Sequence, residues 1–142
     1  MKRILIFALS LLLSACATTR PGMSYVTPGL NLSKSDAVTL ATDTVQHLSG
    51  AFPPAKNTLV LDTPKGDDVL TPLLLAQLRY AGFGVIEAER GLGVRIRYLV
   101  SPLDKGVVLR LQYLTFEAAR FYPRGAGGNL LTAAPFTLKE EK

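Results

Sequence analysis

The chain has one cysteine, one histidine and no tryptophan in 142 residues. A lone cysteine excludes an intrachain disulfide and a cysteine-rich zinc site, so the folded part must rely on packing alone. A lone histidine leaves little for histidine-based catalysis, which needs a nucleophile, a base and an orienting group. His47 falls beside the apolar stripe of a helical pattern, where a surface or packing role accounts for it. There is no Gly-x-Ser-x-Gly elbow and no metal-ligand spacing. Asp67-Asp68 are adjacent at a helix start and do not face each other, so they read as capping residues and not as a catalytic carboxylate pair. Gly91-Leu92-Gly93 and Gly125-Ala126-Gly127-Gly128 lie between strands. A phosphate cradle needs helix amides behind the loop, and neither segment has them, so both read as turns. No enzymatic activity, metal or cofactor is expected.

What is present begins at the N-terminus. Met1-Lys2-Arg3 is basic, Ile4 to Leu13 is apolar, and Ser14-Ala15 are small, the build of a secretory signal peptide. The apolar run is about half the ~20 residues a helix needs to cross a bilayer. Leu13-Ser14-Ala15-Cys16 looks like a bacterial lipobox, in which the cysteine is acylated and becomes the first residue of the mature protein. Cys16 is therefore the expected lipidation site, with residues 1–15 as signal peptide, 16–34 as lipid-anchored leader and 35–142 as a folded periplasmic domain. Cleavage removes Lys2 and Arg3, which lowers the basic count from 16 to 14 against 11 acids and the formal charge from +5 to +3. That is a mild excess and not the dense basic patch of a nucleic-acid binder, so no direct nucleic-acid binding is expected.

Ala17 to Lys34 carries Pro21-Gly22 and Pro28-Gly29 and reads as a leader without regular structure. Tyr25-Val26 and Leu30/Leu32 give it apolar handles with which to lie along a partner. Ser35-Asp36 then opens a helix whose stripe is Ala37, Ala41, Val45, Leu48 and Phe52, with Thr39, Thr42, Asp43 and Gln46 on other faces. Gly50 and Pro53-Pro54 stop it. Thr58 to Asp62 is a short buried strand. A second helix ends at Tyr80-Ala81, closed by Gly82 in a left-handed cap; its start is expected at Asp67-Asp68 with a slight distortion at Pro72, in preference to a Thr71 cap that would put Pro72 at the first position. Phe83 to Ala88 is a strand. Val94 to Val100 and Val107 to Tyr113 alternate in hydropathy and predict a hairpin with residue numbers summing to about 207. Thr115 to Tyr122 is a further strand, Leu130 to Leu138 a broken last strand, and Glu140-Glu141-Lys142 a solvated tail. Helices early and strands late predict an α+β fold, two helices packed on a mostly antiparallel sheet.

The predicted hairpin register sets Arg97 opposite Arg110, with Arg95 opposite Gln112. Like charges facing each other on a sheet are unfavourable. Two readings account for them: a solvated face whose arginine stems cover Leu99 and Val108, or a face that meets an acidic or carbonyl-rich surface of a neighbouring protein. Arg95, Arg97 and Arg110 are thus the candidate partner-binding residues.

Several stretches together resemble the TrbH family of conjugal transfer lipoproteins: the Cys16 lipobox, Leu48 to Leu61 (LSGAFPPAKNTLVL), Leu73 to Glu87 (LLLAQLRYAGFGVIE), Arg120-Phe121-Tyr122, and Ala134 to Glu140 (APFTLKE). One departure is Tyr113-Leu114, which stands where a glycine-containing turn is expected between two strands. The resemblance implies a non-catalytic outer-membrane lipoprotein facing the periplasm. Its expected place is in a multi-subunit type IV secretion complex that forms mating pairs for DNA transfer, with other secretion-channel subunits as partners. Ala17 after the cysteine, rather than aspartate, is similar to the pattern for outer-membrane sorting. The alternative implied by the residues is a non-enzymatic lipoprotein of another envelope assembly or secretion system.

Overall fold

The computed structural model of the chain describes residues 22–142; the expected signal peptide, the expected lipidation site Cys16 and the start of the leader lie outside the described residues. Nine principal elements follow in order: β1 (Tyr25–Val26), α1 (Lys34–Ala51), β2 (Thr58–Leu61), α2 (Leu70–Tyr80), β3 (Gly84–Glu87), β4 (Val94–Leu103), β5 (Gly106–Tyr113), β6 (Phe116–Pro123) and β7 (Thr137–Glu140). The sheet runs β3-β2-β4-β5-β6-β7, and β1 extends the same edge of β4 that β2 occupies. β4 to β7 are antiparallel, whereas β1, β2 and β3 join in parallel. This is the expected α+β architecture, two helices on a mostly antiparallel sheet.

Both helices cover one face. Tyr98 of β4 meets Thr71 of α2 through a 2.6 Å hydroxyl contact, and the Tyr122 hydroxyl of β6 donates to Asp43 of α1 at 2.8 Å. Between them Leu40, Leu48, Leu59, Leu61, Leu74, Leu78, Ile96, Leu109 and Leu111 are fully buried. Each such aliphatic side chain contributes ~1.5–3 kcal/mol on removal from water.

Local chemistry sets the helix ends. Ser33 Oγ accepts from the Asp36 amide at 3.0 Å and Asp36 Oδ2 accepts from the Ser33 amide at 3.1 Å, a reciprocal capping box. α1 therefore starts one residue before Ser35-Asp36, and Asp36 serves at its third position. α2 starts at Leu70, not at Asp67-Asp68. Asp68 accepts from the Leu70 and Thr71 amides at 2.9 and 2.7 Å, so it caps the helix from outside. Pro72 then lies in the first turn, where a missing amide proton costs nothing, and the expected distortion is unnecessary. At the other end Gly82 has φ +101, its amide donates to the Arg79 carbonyl, and the Phe83 amide donates to that of Leu78. This Schellman arrangement is the left-handed closure expected at Gly82.

The hairpin forms, but two residues out of the predicted register. Ile96 pairs with Tyr113, Arg97 with Gln112, Tyr98 with Leu111 and Leu99 with Arg110. The connection tightens to Asp104-Lys105, with Asp104 at φ +48, a conformation its short polar side chain tolerates. A shift of two preserves side-chain parity, so the buried face is the predicted one although the partners change. A second tight turn joins β5 to β6 at Leu114-Thr115. Here Leu114 itself takes φ +52, at a cost of roughly 1–2 kcal/mol for a residue with a Cβ.

Two expectations about the ends need correction. From Gly22 onward the leader is partly ordered: Tyr25 and Val26 pair with Leu99 and Val100, the Thr27 amide donates to the Val100 carbonyl at 3.0 Å, and Ser24 and Leu32 are buried. Its apolar handles are used by the domain's own sheet. At the C-terminus Glu140 is exposed, as expected of the tail, but belongs to β7 and pairs with Phe116, and Leu130 forms only an isolated bridge with Arg124.

Candidate interaction surface

Among the described residues no helix packs on the second face of the sheet. Alternation places Arg95, Arg97, Leu99 and Ser101 of β4 there, with Val108, Arg110 and Gln112 of β5 and Glu117, Ala119 and Phe121 of β6. The loop before β4 covers one corner, since a Cβ added at Gly91 would meet Val60 and Ile86 at 3.4 to 3.5 Å.

The three candidate arginines share this face but have separate duties. Arg97 Nε donates to the Met23 carbonyl at 2.8 Å and its Nη1 to Gln112 Oε1 at 3.1 Å, and Gln112 donates on to Glu117 at 2.7 Å. This polar chain crosses three strands and fastens the leader to them. Arg95 donates to the Glu89 carbonyl and lies against Gly22. Arg110 is exposed, opposite Leu99 and Ala119, and its side chain makes no hydrogen bond or ion pair with any of the described residues. The predicted Arg97–Arg110 confrontation does not occur, because the two-residue shift substitutes the neutral acceptor Gln112. Arg110 is left without a side-chain partner among the described residues, on a floor of half-buried Leu99, Val108 and Phe121.

The helix-covered face holds what the sequence reading missed. Asp43, expected on an outer face of α1, is buried and accepts from Arg120 Nη1 and from the Tyr122 hydroxyl, each at 2.8 Å. The Arg120 guanidinium lies 5.4 Å from the Tyr122 ring centroid and 5.6 Å from that of Phe136. Burial, together with the Asp43 carboxylate, raises the pKa of the Tyr122 hydroxyl, which stays protonated and donates. His47 lies alongside, its Nε2 2.8 Å from the Tyr113 hydroxyl and its ring 4.5 Å from that of Phe136. Burial lowers its pKa, and it acts as a packing residue. The signal available was parity: Arg120 shares its face with buried Ala118 and Tyr122, so an acid had to come from a helix.

The described residues contain no cluster of histidine, cysteine or carboxylate side chains able to hold a metal, and no helix long and apolar enough to cross a membrane. A groove of about 930 Å³ runs along Leu30, Asn31, Asp36, Arg124 and the Gly125–Asn129 turn, where Asp36 and Arg124 already satisfy each other.

The family model of the conjugal transfer protein TrbH matches residues 18–141. The chain belongs to the TrbH family. No curated protein and no solved structure matches it. The match covers every element of the TrbH fold described above. Two stretches that carried the resemblance meet in space, because Arg120 of the Arg120-Phe121-Tyr122 run lies over Phe136 of the C-terminal one. The missing glycine at Tyr113-Leu114 is explained by Leu114, which adopts the left-handed turn itself.

Proposed function

We propose that this TrbH-family chain is an outer-membrane lipoprotein, anchored through Cys16 and facing the periplasm, and a structural subunit of the mating-pair-formation type IV secretion complex. Its role in conjugation follows from the family; the anchor and the place in the complex are the proposal. The observation that carries it is the joining of a lipobox to a TrbH domain, the match beginning two residues after Cys16. The docking face is the helix-free side of the sheet, centred on Arg110 above Leu99, Val108 and Phe121. An arginine on an apolar, aromatic-containing floor has the composition of a protein-contact centre. Its complement is an acidic or carbonyl-rich surface on a neighbouring channel subunit.

Affinity purification of the intact protein from membranes tests this reading. Secretion-channel subunits are expected to co-purify with the wild type and to be lost from Arg110→Glu, whose fold is unchanged. Cys16→Ser is expected to release a folded domain from the membrane and abolish transfer. Unchanged co-purification of Arg110→Glu overturns the docking face, and a soluble, fully active Cys16→Ser overturns the anchor.

A further inference from the structure

The leader leaves the described domain at one particular end of the sheet. Gly22 lines a groove of about 490 Å³ with Gly93, Arg95, Arg97 and Leu114, at the start of β4 and the end of β5. Only six residue steps separate Gly22 from Cys16. Fully extended, they span roughly 20 Å. Because Tyr25 to Ser33 is held by the domain, the leader cannot lift that end far from an acylated Cys16.

This end carries two leucines that the core does not use. Leu92 is 91% exposed on the loop before β4, and Leu114 is 70% exposed at the turn after β5. Leu114 also holds a left-handed backbone that glycine would adopt without strain. Strain retained at an exposed apolar tip points to a use for the side chain outside the fold. Arg90 is two residues from Leu92 on the same loop, Arg95 lines the groove that Leu114 lines, and Glu89 and Glu141 border the same end. The charge is therefore mixed, and the leucines and the short tether carry the argument.

We propose that the Leu92/Leu114 end of the domain rests on the phospholipid surface, the two leucines entering the headgroup layer and Arg90 meeting lipid phosphates. The lipid anchor and this end together orient the domain, with the sheet upright and its helix-free face turned sideways to neighbouring subunits. The inference rests on the reading of Cys16 as lipidated.

Acylation consumes Cys16, so a cysteine introduced elsewhere is the only free thiol of the mature protein. Full-length lipoprotein carrying Leu92→Cys, Leu114→Cys or Leu103→Cys is labelled with an environment-sensitive fluorophore. It is then reconstituted into phosphatidylethanolamine/phosphatidylglycerol vesicles containing a nitroxide-headgroup lipid. Leu103, 54% exposed at the opposite end of β4 and roughly 30 Å away, is the control. Severalfold stronger quenching at positions 92 and 114 than at 103 is the expected result. In a Leu114→Gly background, which relieves the turn, the thermal midpoint is expected to rise while quenching at Leu92→Cys falls. Equal, weak quenching at all three positions in protein that floats with the vesicles overturns the orientation and leaves the anchor standing. Protein that fails to float at all overturns the anchor and the orientation with it.

Discussion

Arg124 Nη1 donates to Asp36 Oδ2 at 2.9 Å and joins two residues 88 apart in sequence. Asp36 also accepts from the Ser33 amide and from the Leu130 amide, both at 3.1 Å, and it is 1% exposed. Arg124 reaches the Asn31 carbonyl at 2.9 Å and the Gly128 carbonyl at 2.6 Å. One carboxylate thus closes the N-cap of α1, the last stretch of the leader and the glycine-rich turn after β6. Asp36→Ala leaves the Ser33 and Leu130 amides without their acceptor and the Arg124 guanidinium with carbonyl partners but no counter-charge. It is expected to lower stability by roughly 3 kcal/mol, the lower end for a buried pair because Arg124 keeps partial access to water. Urea unfolding measures the loss. Limited proteolysis is expected to cut the leader and the Gly125–Leu131 loop together.

Acid should unfold the protein in two stages. Burial lowers the His47 pKa below its ordinary 6.5. Burial pushes the Asp36 carboxyl up, but hydrogen bonds from Arg124, Ser33 and Leu130 and the Arg124 charge outweigh it and hold the group below 3.8. Both folded-state values are depressed, so the unfolded chain binds more protons at each site. Each contribution is complete above the unfolded value and is lost as pH falls through the folded one. Urea midpoints measured from pH 7 downward are expected to decline first below about 6.5 through His47, then again below about 3.8 through Asp36. His47→Gln is expected to remove the first decline and keep the second.

Asp43 and Arg120 test whether a buried ion pair is needed for stability here. Their side chains are 11% and 17% exposed, and Arg120 Nε has no hydrogen-bond partner. Arg120→Ala strands Asp43 and removes the guanidinium from the Tyr122 and Phe136 rings, for a loss of about 3 kcal/mol. In a Tyr122→Phe background, which removes the buried hydroxyl that would otherwise lose its acceptor, Asp43→Leu/Arg120→Met replaces the pair with apolar groups of similar bulk and is expected to recover most of that loss. Thermal unfolding of the single and double variants separates the cost of an orphaned charge from the worth of the pair.

Arg97 and Arg110 share a face but should respond differently. Arg97→Ala removes the bond to the Met23 carbonyl and the link to Gln112, so hydrogen exchange of residues 23–27 is expected to accelerate. A loss of about 1–2 kcal/mol accompanies it. Arg110→Ala removes no side-chain bond to any described residue and is expected to change stability by less than about 0.5 kcal/mol.

Much of the fold was legible because local chemistry decides it. The Gly82 cap, the stop at Pro53-Pro54 and the alternation of β4 and β5 are properties of adjacent residues. Register was not legible, because loops closing at sums of 207 and 209 bury the same side chains. What separates them is the tight turn at Asp104-Lys105 and the bonds that Arg97 finds on Met23 and Gln112. The role of the leader was hidden for a related reason: Tyr25-Val26 is too short to announce a strand and becomes one only against the free edge of β4.

The sequence by itself determined the two helices, the alternating strands and the family membership implied by the motif set, since each depends on residue type and short-range spacing. Only the tertiary structure decided that Asp36 and Asp43 are interior groups, that Arg110 alone of the three arginines on the helix-free face has no side-chain partner among the described residues, and that the leader is held by the domain from Met23 onward. Those outcomes depend on partners tens of residues away, whose geometry fixes which charges are neutralised and which remain for a neighbour.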